Sequence, residues 1–580
     1  MRNEGDQMGE WVRATAVDDL PPAGGRLFTH FEKRISLFRT PGGIYATDNR
    51  CPHEGYALAR GDVRDGVLTC EWHNWKFRLD DGACLFGGEN VRTYPVEIRD
   101  GQIFIDVEDP PAEQIMPELF ASLIEALEEV DVGRMARDTM RLTRLGTPLA
   151  AVVREGARYG APRVEYGWNH SLATLADCMN LAGVFDGALQ SLPVVQGLSV
   201  VSEAEVRRPI RPRPEPADVV GAYGSVDRAL KAYPRLVEQE KAEEAEAVLR
   251  GALAAGASAG AVRRALLNAI TDHFLGYGHP MIYCMKAFEL LDVIGWEEAD
   301  AVLGPLVPAT VLATKYDRLP YMRQFLGAWR DAGADMTALA ARGNSGPFDE
   351  AAVRRALLDG SPAEAFHAVY EALAQGAGVG RVIDATAGAA SSRLGRFDID
   401  LDADDTNEWG WLDVTHTLTY IDALRWAWNH SPTPEVLRGL FHAAWFVQWT
   451  QRFDAKDRHA VRPHATASPD DVLGAIRRHD PDAAVALVTG FEGDTALLNA
   501  PLAQAAAEDQ HSAPIMVAHS VKTTRAAIVE AQALRGDRAP IAAAARFMAS
   551  PKRERFVFNA TLEAIAFVRG RAKGDQGDEG

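Results

Sequence analysis

Cysteine is scarce in this chain: five residues in 580, at positions 51, 70, 84, 178 and 284. So sparse and odd a set does not read as the disulfide framework that holds small secreted domains together. Cationic residues are in deficit too, with 61 Lys and Arg against 81 Asp and Glu and a formal charge of −20. Nucleic acid and anionic membrane surfaces are recognised by clustered Lys and Arg, so the composition speaks against both as partners. The acidic excess suits solubility or docking to a basic redox partner. No apolar run is long enough to span a bilayer, and the polar opening Met1–Glu10 lacks a positive block followed by an apolar one, so no secretory signal is expected. The cytoplasm is the expected compartment.

A chain of 580 residues exceeds one ordinary core, which stops growing at about 250–300 residues, so at least two domains are expected. From Trp11 to about Val107 the text is short strands and turns: "RISLFR" from Arg34, the turn Pro41-Gly42-Gly43, "IYATD" from Ile44 and "QIFIDV" from Gln102. Branched and aromatic residues alternate between Gly, Pro and Asp, which is the period-two pattern of small antiparallel sheets. At Asp109-Pro110-Pro111 the pattern breaks, and segments such as "AVRRALLNAITDHFLGYG" from Ala261 carry helical period almost to the end. "RRPIRPRPEP" from Arg207 cannot be helical, because each Pro disfavours helix for its predecessor. It reads as a surface loop, an internal boundary or a basic docking patch. "RFDIDLDADDTNEWGW" from Arg396 is a second break, acidic and turn-rich.

Two short motifs carry the clearest chemistry: Cys51-Pro52-His53 and Cys70-Glu71-Trp72-His73. Each offers one thiolate and one imidazole from a tight loop, which suits a two-iron cluster whose cysteines hold one iron and whose histidines hold the other. Two neutral imidazoles in place of thiolates lower the negative charge around the cluster and raise its potential relative to an all-cysteine ferredoxin. The same ligand types would fit a zinc tetrahedron, but zinc fingers pair Cys with Cys and His with His, whereas here each loop carries one of each. Trp72, Trp75 and Phe77 would shield a redox centre, and Pro52 and Gly55 would shape its loops.

The segment "CPHEGYALARGDVRDGVLTCEWHNWKF" resembles the two-loop motif of the Rieske family, and "DDGACLFGGENVRTYPVEIRDGQIFIDV" resembles its closing β segment. The resemblance covers Trp11 to Val107 and implies a [2Fe-2S] cluster on Cys51, His53, Cys70 and His73. High-potential members carry an extra cysteine in each loop, paired as a disulfide, and hydroxyl donors to the cluster. Here the corresponding positions read Tyr56 and Glu71 or Trp72, with Asn74 and Phe77 beyond. Cys84, without a partner of its own type nearby, reads as a packed thiol. The family's oxygenases follow the cluster with a mixed α/β domain bearing an Asp-x-x-His-x-x-x-x-His run. That run is absent; Asp272-His273 with His279 is the nearest approach and has the wrong spacing.

Other options exist for the helical region. Two Glu-x-x-His pairs, Glu364 with His367 and Glu508 with His511, have the di-iron spacing, but roughly one such match is expected by chance in a chain of this length. More pointed is a recurring shape: His170, His279, His416 and His519 each open a helix-like segment and carry Tyr or Thr four residues on, placing imidazole and hydroxyl on one face. Packed in one bundle, they could converge as metal ligands or acid–base groups; singly, each reads equally as a capping or core histidine. Trp409 and Trp411 would suit a pocket wall or a core, and Cys178 and Cys284 read as packed thiols. "GYGHPMIY" from Gly276 and "THTLTYIDALRWA" from Thr415 resemble the questin-oxidase-like family, which implies oxidation of a bulky aromatic substrate with these histidines in the pocket.

The expected architecture is multidomain β + α: a small all-β Rieske domain over 9–109, a large all-α domain over 110–570 with a candidate boundary near 203–222, and a disordered tail over 571–580. The expected function is an oxidoreductase that passes electrons from an external donor to an oxidative site at His170, His279, His416 and His519. The rival is an electron carrier whose helical part is a scaffold. No dinucleotide fingerprint, P-loop or nucleophile elbow is present, so a separate reductase or ferredoxin is the expected donor. A second metal, iron, is a candidate in the helical domain, with a small, aromatic organic substrate. A homo-oligomer would allow electrons to cross between subunits. Without the disulfide and the hydroxyl donors, the midpoint potential is expected below about +200 mV, and to fall as alkaline pH deprotonates the histidine ligands. A midpoint above that value would rule out the low-potential type, and a potential flat into strong alkali would contradict the ligand reading.

Overall fold

The computed structural model describes residues 10–403, 410–456, 461–466, 468–508 and 513–552, with isolated positions between 561 and 568. It divides into two compact units. One comprises the chain up to Ala126 together with Asp131–Gly146; the other comprises Leu127–Val130 and the chain from Thr147 onward.

Among the described residues of the first unit, eleven strands form three antiparallel sheets. β1 (Trp11–Ala16), β11 (Gln102–Asp106) and β10 (Val96–Arg99) form one; β2 (Gly25–His30), β3 (Lys33–Thr40), β4 (Gly43–Asp48) and β9 (Thr93–Tyr94) form the second; β5 (Asp62–Arg64), β6 (Val67–Thr69), β7 (Lys76–Arg78) and β8 (Cys84–Phe86) form the third. The period-two text sets the faces: Ile103 and Ile105 on β11 point into one core with Ile35 and Leu37 of β3, while Phe38 turns to a second core. That second core, under β6 and β7, encloses Leu58, Leu68 and Phe77 together with Cys51 and Cys70. The helix Val132–Arg144, capped by the Asp131 side chain on the Arg134 N–H, belongs with these strands.

The second unit is helical throughout its described length. Four helices lie against one another at its centre: His170–Ala182, His279–Ile294, Gly410–His430 and Pro514–Ala533. Each is buried around most of its circumference. Local signals fix where they begin. The Asn169 side chain accepts from the Ser171 N–H. Gly278, at φ +82°, breaks the backbone ahead of His279 and Pro280. The fourth starts on Pro514. The Pro/Arg-rich stretch after Arg207 is irregular, and its cations are engaged internally: Arg211 with Glu246 at 2.7 Å and Arg213 with Asp300 at 2.7 Å. Trp409, His511 and the segments 1–9 and 571–580 lie outside the described residues. No helix among those described is long and apolar enough to cross a membrane.

The core also holds an acid-sensitive residue. His442, on Pro434–Trp449, is 3% exposed, and burial pushes its imidazole down to about 4. In the unfolded chain it protonates below about 6.5, so the unfolded state binds more protons between those values and stability falls with acidification. From pH 6.5 to 4 this residue alone is expected to cost about 3 kcal/mol. Thermal melts of His442→Gln should lose less stability across that interval than wild type; equal slopes would refute the assignment.

Candidate functional site

The two cluster motifs fold as congruent loops. The Cys51 N–H donates to the Tyr56 carbonyl at 2.8 Å and the Gly55 N–H to the Cys51 carbonyl at 2.8 Å; the Cys70 N–H donates to Trp75 at 2.8 Å and the Asn74 N–H to Cys70 at 3.0 Å. The fifth residue of each loop is left-handed, Gly55 at φ +75° and Asn74 at φ +62°. Gly and Asn are the residues that tolerate this conformation best. The loops place both cysteines at their bases, 3% and 1% exposed, and both histidines outward, with Nδ1 atoms 3.1 Å apart. An ion holding two imidazoles at about 2.1 Å in a tetrahedral field spaces their nitrogens about 3.4 Å apart, so the pair fits one metal. Burial, with the facing Cys70 sulfur, pushes the Cys51 thiol up to about 12, while the backbone N–H groups of His53 and Glu54 donate toward it. Those donors suit a sulfur that becomes anionic when it binds iron. Trp75 stacks on the His53 ring at 4.9 Å. Gly87 at φ +140° lets the chain pass its other side, where a Cβ would come within 2.4 Å of Trp75. All five cysteines are free, so neither loop is disulfide-bonded.

The helical unit brings His170, His279, His416 and His519 together, one from each central helix. Nε2 of His279 lies 2.9 Å from Nε2 of His416 and 3.3 Å from Nε2 of His170. His170, His416 and His519 each offer a ring nitrogen within 4.8 Å of the others. The outward nitrogens define the tautomers. His279 Nδ1 lies 2.5 Å from the Gly276 carbonyl and His416 Nδ1 2.5 Å from the Leu412 carbonyl, so both must donate there. His519 Nδ1 lies 2.8 Å from the Thr415 hydroxyl, which also lies 3.0 Å from the Leu412 carbonyl. Tyr283 Oη faces His170 Nδ1 at 3.4 Å. The inner nitrogens of His279 and His416 are therefore unprotonated, and His519 Nε2 is buried with no hydrogen-bond partner. Burial, reinforced by Lys522, holds all four imidazoles below the ordinary histidine range, His279 at about 3. Lys522 joins the group, its Nζ 2.8 Å from His416 Nε2 and 3.3 Å from His170 Nε2, and burial likewise lowers its ammonium.

Residues 10–95 match the family model described as "Rieske [2Fe-2S] domain". The chain is 33% identical over 107 residues to the alkene monooxygenase system ferredoxin component of Xanthobacter autotrophicus, covering 18% of this chain and 87% of that protein. It is 30% identical over 100 residues to the naphthalene 1,2-dioxygenase system ferredoxin component of Pseudomonas aeruginosa, covering 17% and 96%. The chain belongs to the Rieske [2Fe-2S] family. Among solved structures, the Rieske unit is similar to Sphingomonas yanoikuyae B1 ferredoxin, with 24% identity, 17% of this chain and 98% of that one covered, and a TM-score of 0.16. The family carries a [2Fe-2S] cluster, and the cofactor of the Rieske domain is that cluster.

Several expectations resolve differently from one another. Of the four hydroxyls placed one turn beyond the histidines, only Tyr283 meets the cluster; Thr174 bonds back to the His170 carbonyl at 2.7 Å, Tyr420 packs on Phe274 and Thr523 is buried. Trp411 is core, stacked on Phe397 at 4.0 Å. Glu364 caps its own helix through Ser361, and both Glu364 and His367 are exposed. Glu508 pairs with Arg477, and its proposed partner His511 lies outside the described residues. His273 is held between Asp317 at 2.7 Å and Glu238 at 2.9 Å, while Asp272 pairs with Arg438 at 2.5 Å.

Sequence reasoning missed Lys522 and the ionic layer beneath it. Along the same helices, Asp177 pairs with Lys286 at 2.6 Å, Asp422 with Arg525 at 2.8 Å, and Glu289 with both cations. The signal was there: charged residues six or seven positions after each histidine, at 177, 286, 422 and 525. Beside His416 stands an aromatic wall of Tyr277, Tyr316 and Trp449, with Arg452 over Trp449 at 3.2 Å and paired to Asp413 at 3.1 Å. Gly278 supports this geometry, since a Cβ there would come within 2.3 Å of Tyr420. Gly278→Ala is expected to displace Tyr420 or the start of the His279 helix, destabilising the helical unit by about 1–3 kcal/mol. A melting curve unchanged from wild type would refute that reading.

Proposed function

We propose that this chain is an oxidoreductase in which the Rieske domain takes single electrons from an external reductase or ferredoxin and delivers them to a metal-holding oxidative site in the helical domain. The observation that carries the second half is the set of unprotonated imidazole nitrogens turned toward one another, with His519 Nε2 lacking any partner. The Nε2 lone pairs of His279 and His416, 2.9 Å apart, repel, and a cation shared with the neighbouring imidazoles converts that repulsion into bonds. A metal–nitrogen bond of about 2.1 Å spaces neighbouring ligands by about 3.0–3.4 Å at angles between square and tetrahedral. An all-imidazole set suits a first-row divalent ion, iron in a redox context.

The roles follow from these residues. Cys51 and Cys70 would hold one iron of the Rieske centre, and His53 and His73 the other, through Nδ1. A bound two-iron cluster supplies a one-electron carrier. In the helical domain, the carbonyls of Gly276 and Leu412 fix the tautomers and aim the inner nitrogens. Lys522, whose charged form burial disfavours, can exchange a proton as negative charge develops on a neighbouring ligand. The Tyr277, Tyr316 and Trp449 rings, tilted against one another, supply aromatic faces beside His416, which favours an aromatic organic substrate.

The ferredoxins to which the Rieske domain is similar favour the second reading, an electron carrier with a helical scaffold. Iron analysis separates the two. The full chain is expected to hold about three irons, with His416→Ala lowering this to two while the visible absorption of the [2Fe-2S] centre persists. Two irons in wild type, with no other metal at stoichiometry, would leave the carrier.

A further inference from the structure

The helix Val132–Arg144 belongs to the Rieske unit, although it lies beyond the residues that the family model matches. Its side chains reach the cluster loops. Arg137 grips Glu89 with two nitrogens, at 2.8 and 3.0 Å, and its third, Nη1, donates to the backbone carbonyl of His53 at 3.4 Å. Glu89 is 7% exposed and also receives Arg141, which in turn pairs with Asp138. The two buried carboxylates are balanced by the two guanidiniums, so their burial leaves no net charge to stabilise.

The carbonyl that Arg137 touches is half of a peptide unit whose other half is the Glu54 N–H, and that N–H donates toward the Cys51 sulfur. A peptide that accepts a charge-assisted bond at its oxygen is polarised and donates more strongly from its nitrogen. Hydrogen bonds to a ligand sulfur stabilise the reduced cluster, which carries the larger negative charge.

We propose that Arg137 is a positioning residue that raises the potential of the Rieske centre through the His53–Glu54 peptide, making the helix Val132–Arg144 a functional part of the redox domain. The side-chain hydroxyl donors of high-potential members are absent from this sequence, and a backbone relay driven from outside the β domain fills part of that place. The inference rests on Cys51 and His53 being cluster ligands.

The experiment is an EPR-monitored redox titration of the full chain as wild type, Arg137→Met, Arg137→Gln and Arg141→Met. Arg141→Met removes a cation from the same carboxylate without touching the His53 carbonyl, so it reports the effect of charge alone. The expected order of midpoints is wild type and Arg141→Met highest, Arg137→Gln lower and Arg137→Met lowest, each with an intact Rieske spectrum. Equal midpoints in wild type and either Arg137 variant, or an equal fall in Arg141→Met, would overturn the proposal. Loss of the cluster from both Arg137 variants, with Arg141→Met intact, would overturn it too, by making Arg137 structural. A wild-type chain with no Rieske spectrum would instead refute the ligand assignment beneath it.

Discussion

Everything in the helical unit is arranged around one constraint: polar groups buried in a dry bundle must find partners. Each central helix carries an imidazole near one end and a buried charge about two turns along. The ionic layer meets the constraint internally, since Asp177, Glu289 and Asp422 find Lys286 and Arg525. The histidine layer meets it on the outer side at Gly276, Leu412 and Thr415. On its inner side the Nε2 acceptors of His279 and His416 face each other beside Lys522, while His519 Nε2 has no hydrogen-bond partner, and such an arrangement invites a cation. Removing one partner from the ionic layer would strand a buried charge, which is why that layer holds the helices in place more firmly than its net energy suggests.

The Rieske domain was legible in the sequence because its chemistry is local. Each loop carries its ligands within a few residues, and the hydrogen bonds that shape it run between residues at most five apart, as from Cys51 to Tyr56 and from Cys70 to Trp75. Gly55 and Asn74 mark the same turn in both loops. The all-α character of the rest followed from helical period, and the four histidines from a repeated local shape. Lys522 was missed because a lysine in an amphipathic-looking segment reads as a solvated residue. Only packing against His170 and His416 gives it another meaning. The same holds for Arg137, whose partners Glu89 and His53 are distant in sequence. Long-range ion pairs leave no periodic trace, so nothing in the local text distinguishes Arg137 from its neighbours Arg134 and Arg141.

The two halves of the chain solve the same problem with different materials. In the Rieske domain, strands and turns fix a pair of loops, and backbone N–H groups meet the sulfurs directly, so few side chains are needed. In the helical domain, most backbone donors are committed to their helices, and orientation falls to side chains and to carbonyls at frayed or interrupted turns such as Gly276. The left-handed Tyr277 and Gly278 before the His279 helix are the clearest case, because the Gly276 carbonyl there meets both the backbone N–H and the ring Nδ1 of His279.

The stacking of an imidazole layer on an ionic layer gives these helices something like a two-pin plug. A single layer could tolerate a helix sliding or turning by one residue, with the neighbours re-pairing around it. Two layers at a fixed spacing cannot, because a helix shifted to satisfy one would miss the other by about 100° of rotation. The stretch between the layers is therefore closed to insertions and deletions of even one residue, while its apolar side chains remain free to vary in kind.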